Sequence, residues 1–167
     1  TGSGEMEVHM IDVGQGDAIA LRTPHGHWIV MDAGREWRGG DAGRSTVVPY
    51  LRRFGGEVEW LILSHPHADH VGGAASVLRA LRPPHLLDAA FAGPSTAYRT
   101  VLTEAAQQGT IWHRARPGAR LLVDGVELRT LAPDSAWTAG LTDPNLASTM
   151  VMARFGGVRV LLTGDAE

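Results

Sequence analysis

Hydrophobic and polar positions alternate in short runs at the start of the chain. Residues 7–13, 18–23 and 28–32 read as strands, separated by Gly14-Gln15-Gly16-Asp17 and Pro24-His25-Gly26-His27 as turns, so the N-terminus predicts a meander of hairpins. The period then lengthens. A helix is expected over 46–54, closed by Gly55-Gly56, followed by a buried strand over 57–63 and a helix over 71–81 that Pro83-Pro84 stops. A short strand over 85–91 leads to a helix over 95–108, with Ser95 as its N-cap and Gly109 as its stop. Residues 111–132 read as short strands around the Asp124-Gly125 turn, and 149–163 as a hairpin turning at Gly156-Gly157. The pattern is α/β and rich in sheet, with no linker or repeat. It forms one domain over 5–167, and Thr1-Gly2-Ser3-Gly4 reads as a tag or linker remnant.

Composition narrows the chemistry. The 167 residues suffice for one well-buried domain, and no apolar run approaches the ~20 residues that cross a bilayer. Cysteine is absent, so any metal must be held by imidazole or oxygen donors. All 15 basic residues are arginine, a side chain suited to phosphate, yet the formal net charge of −3 gives no broad footprint for duplex DNA.

The densest chemistry lies in Ser64-His65-Pro66-His67-Ala68-Asp69-His70, directly after the apolar run Trp60-Leu61-Ile62-Leu63. Imidazole suits first-row metals such as zinc, and the added carboxylate extends the range toward manganese and iron. His65 and His67 are two apart and would point the same way from an extended backbone, whereas Asp69 and His70 come as the chain turns into a helix. One loop could thus serve two adjacent cations. Asp165, after the apolar strand Leu161-Leu162, is a further candidate ligand. The remaining imidazoles, His9, His25, His27, His85 and His113, are not expected to bind metal, and His25 and His27 are expected to be solvated.

His-x-His-x-Asp-His after an apolar strand resembles the metallo-β-lactamase superfamily. Asp12-Val13-Gly14-Gln15-Gly16-Asp17-Ala18, Met31-Asp32-Ala33-Gly34, Val48-Pro49-Tyr50-Leu51-Arg52 and Leu161-Leu162-Thr163-Gly164-Asp165-Ala166-Glu167 extend the likeness to one branch, the soluble domain of the ComEC family of DNA-uptake proteins. The resemblance implies an αβ/βα sandwich, incomplete at its C-terminus because the family continues with a further His. It implies two divalent ions, manganese or zinc, held by His65, His67, Asp69, His70 and Asp165, with Asp165 bridging and Asp69 also orienting water. Asp32 is expected to orient a ligand imidazole, and Asp17 to reach the cleft. Where many members carry another His, this chain has Asn145 and Ser148, with Ala147 departing from the commoner Asn.

The resemblance further implies a soluble, extracytoplasmic part of a bacterial membrane protein, joined to that polypeptide's membrane segments and acting on single-stranded or duplex DNA. The expected activity is a nuclease that degrades the strand not taken up. Two other readings share the same residues: a hydrolase of a small or polymer-linked ester (a phosphocholine ester or a lactone), and a non-enzymatic domain that grips single-stranded DNA or a partner. The segment 35–44, with Trp37 and Arg38, has residue types that stack a base and pair phosphates, and is expected to be a Gly-rich loop at the cleft rim.

Overall fold

The computed structural model describes residues 2–91 and 93–166. Strands β1 (Glu7–Met10), β2 (Ile19–Arg22) and β3 (Trp28–Met31) form the expected antiparallel meander. A small hairpin, β4 (Glu36–Trp37) and β5 (Gly40–Asp41), leads to a π-helical turn over Gly43–Val47 that runs into α1 (Val48–Phe54). Strand β6 (Val58–Ile62) precedes α2 (Ala68–Val71) and α3 (Ala74–Leu81). Then come β7 (His85–Asp88), α4 (Thr96–Gln108) and β8 (Ile111–Arg114). Strands β9 (Arg120–Val123), β10 (Val126–Ala132), β11 (Met150–Phe155) and β12 (Val158–Leu162) complete the fold, with two short helical turns between β10 and β11, α5 (Ser135–Thr138) and a 3-10 turn over Asn145–Ala147.

Six strands make one mixed sheet in the order β1-β2-β3-β6-β7-β8, antiparallel as far as β3 and parallel from β3 to β8. Four more make an antiparallel sheet in the order β12-β11-β10-β9. Period-two alternation sorts the core into two layers. Ala20, Trp28, Val30, Leu61 and Leu86 face the helices, where they meet Val47, Leu51, Val77, Leu78 and Val101. Their neighbours Leu21, Ile29, Met31, Ile62 and Leu87 face the second sheet, against Val126, Leu128, Val151, Ala153 and Leu162. Sheet on sheet with helices outside is the expected layering.

Two helix boundaries differ from expectation. The helix expected over 71–81 is broken at Gly72-Gly73, and its first turn starts earlier, at Ala68. The break has a steric cause: a Cβ on Gly73 would strike the Ala33 carbonyl and the Gly43 backbone, so only glycine lets the helix start press against the end of β3. The helix expected over 46–54 also begins earlier, as the π turn. There Asp41 Oδ1 accepts from the Arg44 amide at 2.8 Å, and Asp41 Oδ2 accepts from Ser76 Oγ at 2.7 Å. The same carboxylate anchors residues 35–44 as a hairpin rather than the loose loop their glycine content predicts.

The parallel strands β3, β6 and β7 all run the same way, so Asp32, Ser64 and the residues after Asp88 emerge at one end. This is where open α/β sheets place their ligands. Leu61 in the helix-side layer and Leu128 in the inter-sheet layer are at most 1% exposed. Leu61→Ala and Leu128→Ala are each expected to cost about 2–5 kcal/mol. Urea titration followed by both far-UV circular dichroism and tryptophan fluorescence should show one shared transition in each variant; separate transitions would show that the layers fold independently.

Candidate metal centre

Four segments converge at the carboxyl ends of β3 and β6: the Gly14–Asp17 turn, the Asp32–Gly34 turn, the His loop and the turn after β12. Glycine permits two of the contacts. A Cβ on Gly16 would collide with the Asp69 carbonyl, and one on Gly164 with the Ser64 side chain. The backbone bonds Ala33 N to His70 O and Gly34 N to Asp17 O, both 2.8 Å, lock the β3 end to the His loop and to the N-terminal turn.

Within this frame one carboxylate organises two imidazoles. Asp32 is buried and sits at φ 61°, a left-handed conformation uncommon for a residue with a Cβ. Its Oδ1 accepts from the Ser64 amide at 2.8 Å. Its Oδ2 accepts from Ser64 Oγ at 2.5 Å and lies 2.9 Å from His70 Nδ1. Because the Ser64 proton goes to Asp32, Ser64 Oγ is left to accept from His65 Nδ1, 2.9 Å away. Both rings therefore carry a proton on Nδ1 and turn Nε2 toward the same place. His65 Nε2 lies 3.8 Å and His70 Nε2 3.4 Å from Asp165 Oδ2. An imidazole whose far nitrogen is tied to a carboxylate or hydroxyl is how proteins present a metal ligand.

Of the five residues expected to hold metal, His65, His70 and Asp165 come together, with one donor atom each, all within 4.8 Å of one another. His67 is exposed, with its ring 4.8 Å from that of His65, and Asp69 is half-buried beside it. A divalent cation fits this set. His65 Nε2 is fully buried without a hydrogen-bond partner, an arrangement that a cation would satisfy. Asn145 Oδ1 and Ser148 Oγ are likewise buried and unpartnered. The bond from Thr149 N to Ser64 O, 2.7 Å, ties their segment to the His loop.

Electrostatics separates the two buried rings. Burial, reinforced by the charge on His70, pushes His65 down to about 4, so it is neutral and ready to donate. Burial also opposes a charge on His70, but the Asp32 hydrogen bond and the charges of Asp32, Asp165 and Asp69 outweigh it and push that ring up to about 9. Burial raises the Asp32 carboxyl.

The remaining expectations divide. Asp17 reaches the site, its Oδ2 3.9 Å from His70 Nδ1. Trp37 and Arg38 are exposed on the β4–β5 hairpin. Only Glu36 of that hairpin lines the adjoining cleft of about 530 Å³, beside His67, Pro66, Pro94 and Pro144. His27 is half-buried rather than solvated, because its Nδ1 meets Asp124 Oδ2 at 2.6 Å. Two residues had been given no role. Ser64 joins the two rings through its hydroxyl. Asp88, buried at the end of β7, accepts from Tyr98 Oη at 2.8 Å and from the Ala90 amide at 2.6 Å, supporting a small cavity beside His65 and Pro66. A polar residue ending an apolar strand was the available signal for both.

Asp32→Asn would replace the shared acceptor with an amide that cannot serve both rings. It is expected to weaken metal binding by about 10–100-fold while leaving the fold intact, as checked by chelator competition and circular dichroism. Below about pH 9 a cation at His70 must displace the Nε2 proton. Affinity in the parent should therefore climb with pH and level off near that value. A pH-independent affinity would remove His70 from the ligand set.

Comparison with known proteins agrees with this geometry. The model of the metallo-beta-lactamase superfamily matches residues 11–167. The chain is 35% identical over 161 residues to "Recombination protein 2" of Haemophilus influenzae, covering 96% of this chain and 18% of that protein. It is 28% identical over 178 residues to "ComE operon protein 3" of Bacillus subtilis, covering 99% of this chain and 23% of that protein. Among solved structures, the metallo-beta-lactamase SMB-1 superposes with a TM-score of 0.62 at 18% identity, over 93% of this chain and 60% of that one. CmlA, a diiron beta-hydroxylase from Streptomyces venezuelae, does so with a TM-score of 0.58 at 18% identity, over 97% of this chain and 30% of that one. The chain belongs to the metallo-β-lactamase superfamily and is a ComEC-like domain within it.

Proposed function

We propose that this domain is a metal-dependent phosphodiesterase that cuts DNA during uptake, degrading the strand that does not enter the cell. The observation that carries the metal-dependent part is the buried, unpartnered His65 Nε2 aimed with His70 Nε2 at Asp165. The relatives "Recombination protein 2" and "ComE operon protein 3", together with the ComEC resemblance of the sequence, supply the DNA context. In this reading His65 and His67 would hold one cation and Asp69 and His70 the other, with Asp165 available to either. Two divalent ions, manganese or zinc, would polarise the phosphate and make a water acidic enough to attack near neutral pH.

The protein's own part is orientation. Asp32 and Ser64 hold both imidazoles with their lone pairs inward. The Asp69 carboxylate takes a hydrogen bond from the attacking water and aims it. Asn145 Oδ1 and Ser148 Oγ, both buried and unpartnered, would complete the first cation's surroundings or touch the substrate. No helix of the described residues is long and apolar enough to cross a membrane. Attachment to membrane segments of a parent polypeptide, outside the cytoplasm, belongs to the same proposal.

A specific observation favours a second reading, hydrolysis of a small or polymer-linked ester. The cleft beside His67 is lined mainly by Pro66, Ala68, Pro94, Ala97 and Pro144, and among the described residues no arginine lines it. The two readings separate on substrate. Metal-depleted protein resupplied with manganese or zinc is expected to cleave labelled single-stranded or duplex DNA, and Asp69→Ala to abolish that turnover with the fold retained. Hydrolysis of a lactone or a phosphocholine ester without DNA cleavage would favour the second reading. Full DNA cleavage by a metal-loaded Asp69→Ala protein would overturn the role given to that residue.

The β4–β5 hairpin is proposed to hold the strand without touching the chemistry. Replacing Trp37 and Arg38 with alanine should weaken single-stranded DNA binding and flatten its salt dependence by about one unit per lost phosphate contact. Turnover of bis-nitrophenyl phosphate should stay near the parent rate, because that substrate needs only the metals. Unchanged DNA affinity and salt slope would make the hairpin a bystander.

A further inference from the structure

A second group of ligand-type side chains sits at the other end of the six-stranded sheet. Strands β3 and β6 run parallel, and their carboxyl ends feed the centre described above. At their amino ends, His27, Glu57 and Glu59 each bring one donor atom to within 4.8 Å of the others. His27 Nε2 lies 3.9 Å from Glu59 Oε1, too far for a hydrogen bond. In a tetrahedral zinc site with bonds of about 2.0–2.1 Å, donors stand about 3.4 Å apart, so small side-chain rotations would close these three around an ion.

Three features build this group. First, the far nitrogen of His27 is already held. Its Nδ1 lies 2.6 Å from Asp124 Oδ2, and that oxygen also accepts from Thr23 Oγ1 at 2.5 Å. His25 Nδ1 lies 3.3 Å from the other Asp124 oxygen. A carboxylate behind an imidazole fixes the tautomer that leaves Nε2 free for metal. Second, Glu59 is the extra residue of a β-bulge. Trp28 pairs with Val58 and Ile29 with Trp60, so Glu59 faces no partner on β3. Bulges of this kind re-aim a side chain. Third, the two turns that carry the ligands are pressed together. Trp28 N donates to Glu57 O and Trp28 Nε1 to Gly55 O, both at 2.8 Å. A Cβ on Gly56 would strike the Gly26 carbonyl.

We propose that His27, Glu57 and Glu59 form a second divalent-cation site of the zinc class at the end of the sandwich opposite the His loop. A water fills the fourth position. Asp124 lies on the β9–β10 turn of the other sheet, so an ion here would staple the two sheets through the His27–Asp124 bond. This assignment revises the expectation that His27 binds no metal. Its cause is that Asp124, distant in sequence, reaches the ring only in the fold. The proposal does not depend on the hydrolytic reading of the first centre.

The test uses protein in which His65→Ala and Asp165→Asn empty the first centre, stripped of metal and titrated with cobalt(II) as a visible-spectrum stand-in for zinc. One equivalent is expected, with the intense visible bands of a four-coordinate ion, and zinc is expected to raise Tm. Adding His27→Gln or Glu59→Gln should abolish that equivalent and the Tm rise, with metal-free circular dichroism unchanged. Asp124→Asn should weaken binding by about 10–100-fold, and Glu127→Gln, on the outer sheet, should leave it alone. No stoichiometric binding, or binding that survives both His27→Gln and Glu59→Gln, would overturn the proposal. Should the first-centre changes prevent folding, zinc and cobalt counts of the parent against the His27→Gln variant decide it: one ion fewer supports the site, an equal count refutes it.

Discussion

The Asp32 carboxylate is the constraint on which the centre depends. It accepts three hydrogen bonds, from the Ser64 amide, the Ser64 hydroxyl and His70, and through Ser64 it also fixes His65. A buried carboxylate is costly unless its oxygens are satisfied, and the surrounding donors satisfy them. The left-handed backbone at this residue adds strain of about 1–3 kcal/mol. That conformation turns the carboxylate back across the end of β6, so two rings five residues apart on one loop present their Nε2 atoms to a single carboxylate from the turn after β12.

Close backbone approach makes this arrangement possible. Gly16 lies under the Asp69 carbonyl, Gly72 lets the helix after the His loop press on the Arg35–Glu36 backbone and Gly73 on the turn after β3, and Gly164 lets the β12 turn reach Ser64. Each contact has its nearest atoms in backbone or in Ser64, so side chains at these glycines would move the donors apart rather than merely crowd them. The buried layers above and below the six-stranded sheet hold the strands whose ends carry these turns. Stability of the core and geometry of the site are thus linked through a few glycine positions.

Much of this was legible in the sequence. The His loop is contiguous, so its donors needed no long-range contact to be recognised. Asp165 could be read because it ends an apolar strand, and Asp32 because it ends another before a glycine. The layered αβ/βα architecture followed from the order of elements together with the family resemblance, and both sheets and their alternation agree with it. The less legible features are those set by tertiary contact. Ser64 and Asp88 stand out locally only as polar residues that end apolar strands; the relay between two imidazoles and the support beneath the loop come from partners that the fold supplies. The hairpin at residues 36–41 was hidden by its glycines, because Asp41 orders it through Ser76, 35 residues away. The bulge at Glu59 and the pairing of His27 with Asp124, 97 residues apart, exist only once the sheets are stacked.

Anomalous diffraction from crystals of the parent protein soaked with manganese or zinc tests the central claim most directly, because it places the ion against named atoms. The expected map has an anomalous peak within coordination distance of His65 Nε2 or His70 Nε2 and of Asp165, with both Nδ1 atoms still turned toward Asp32 and Ser64. A protein loaded with metal elsewhere, with both Nε2 atoms uncoordinated or either ring flipped away from the Asp32–Ser64 pair, would contradict the account.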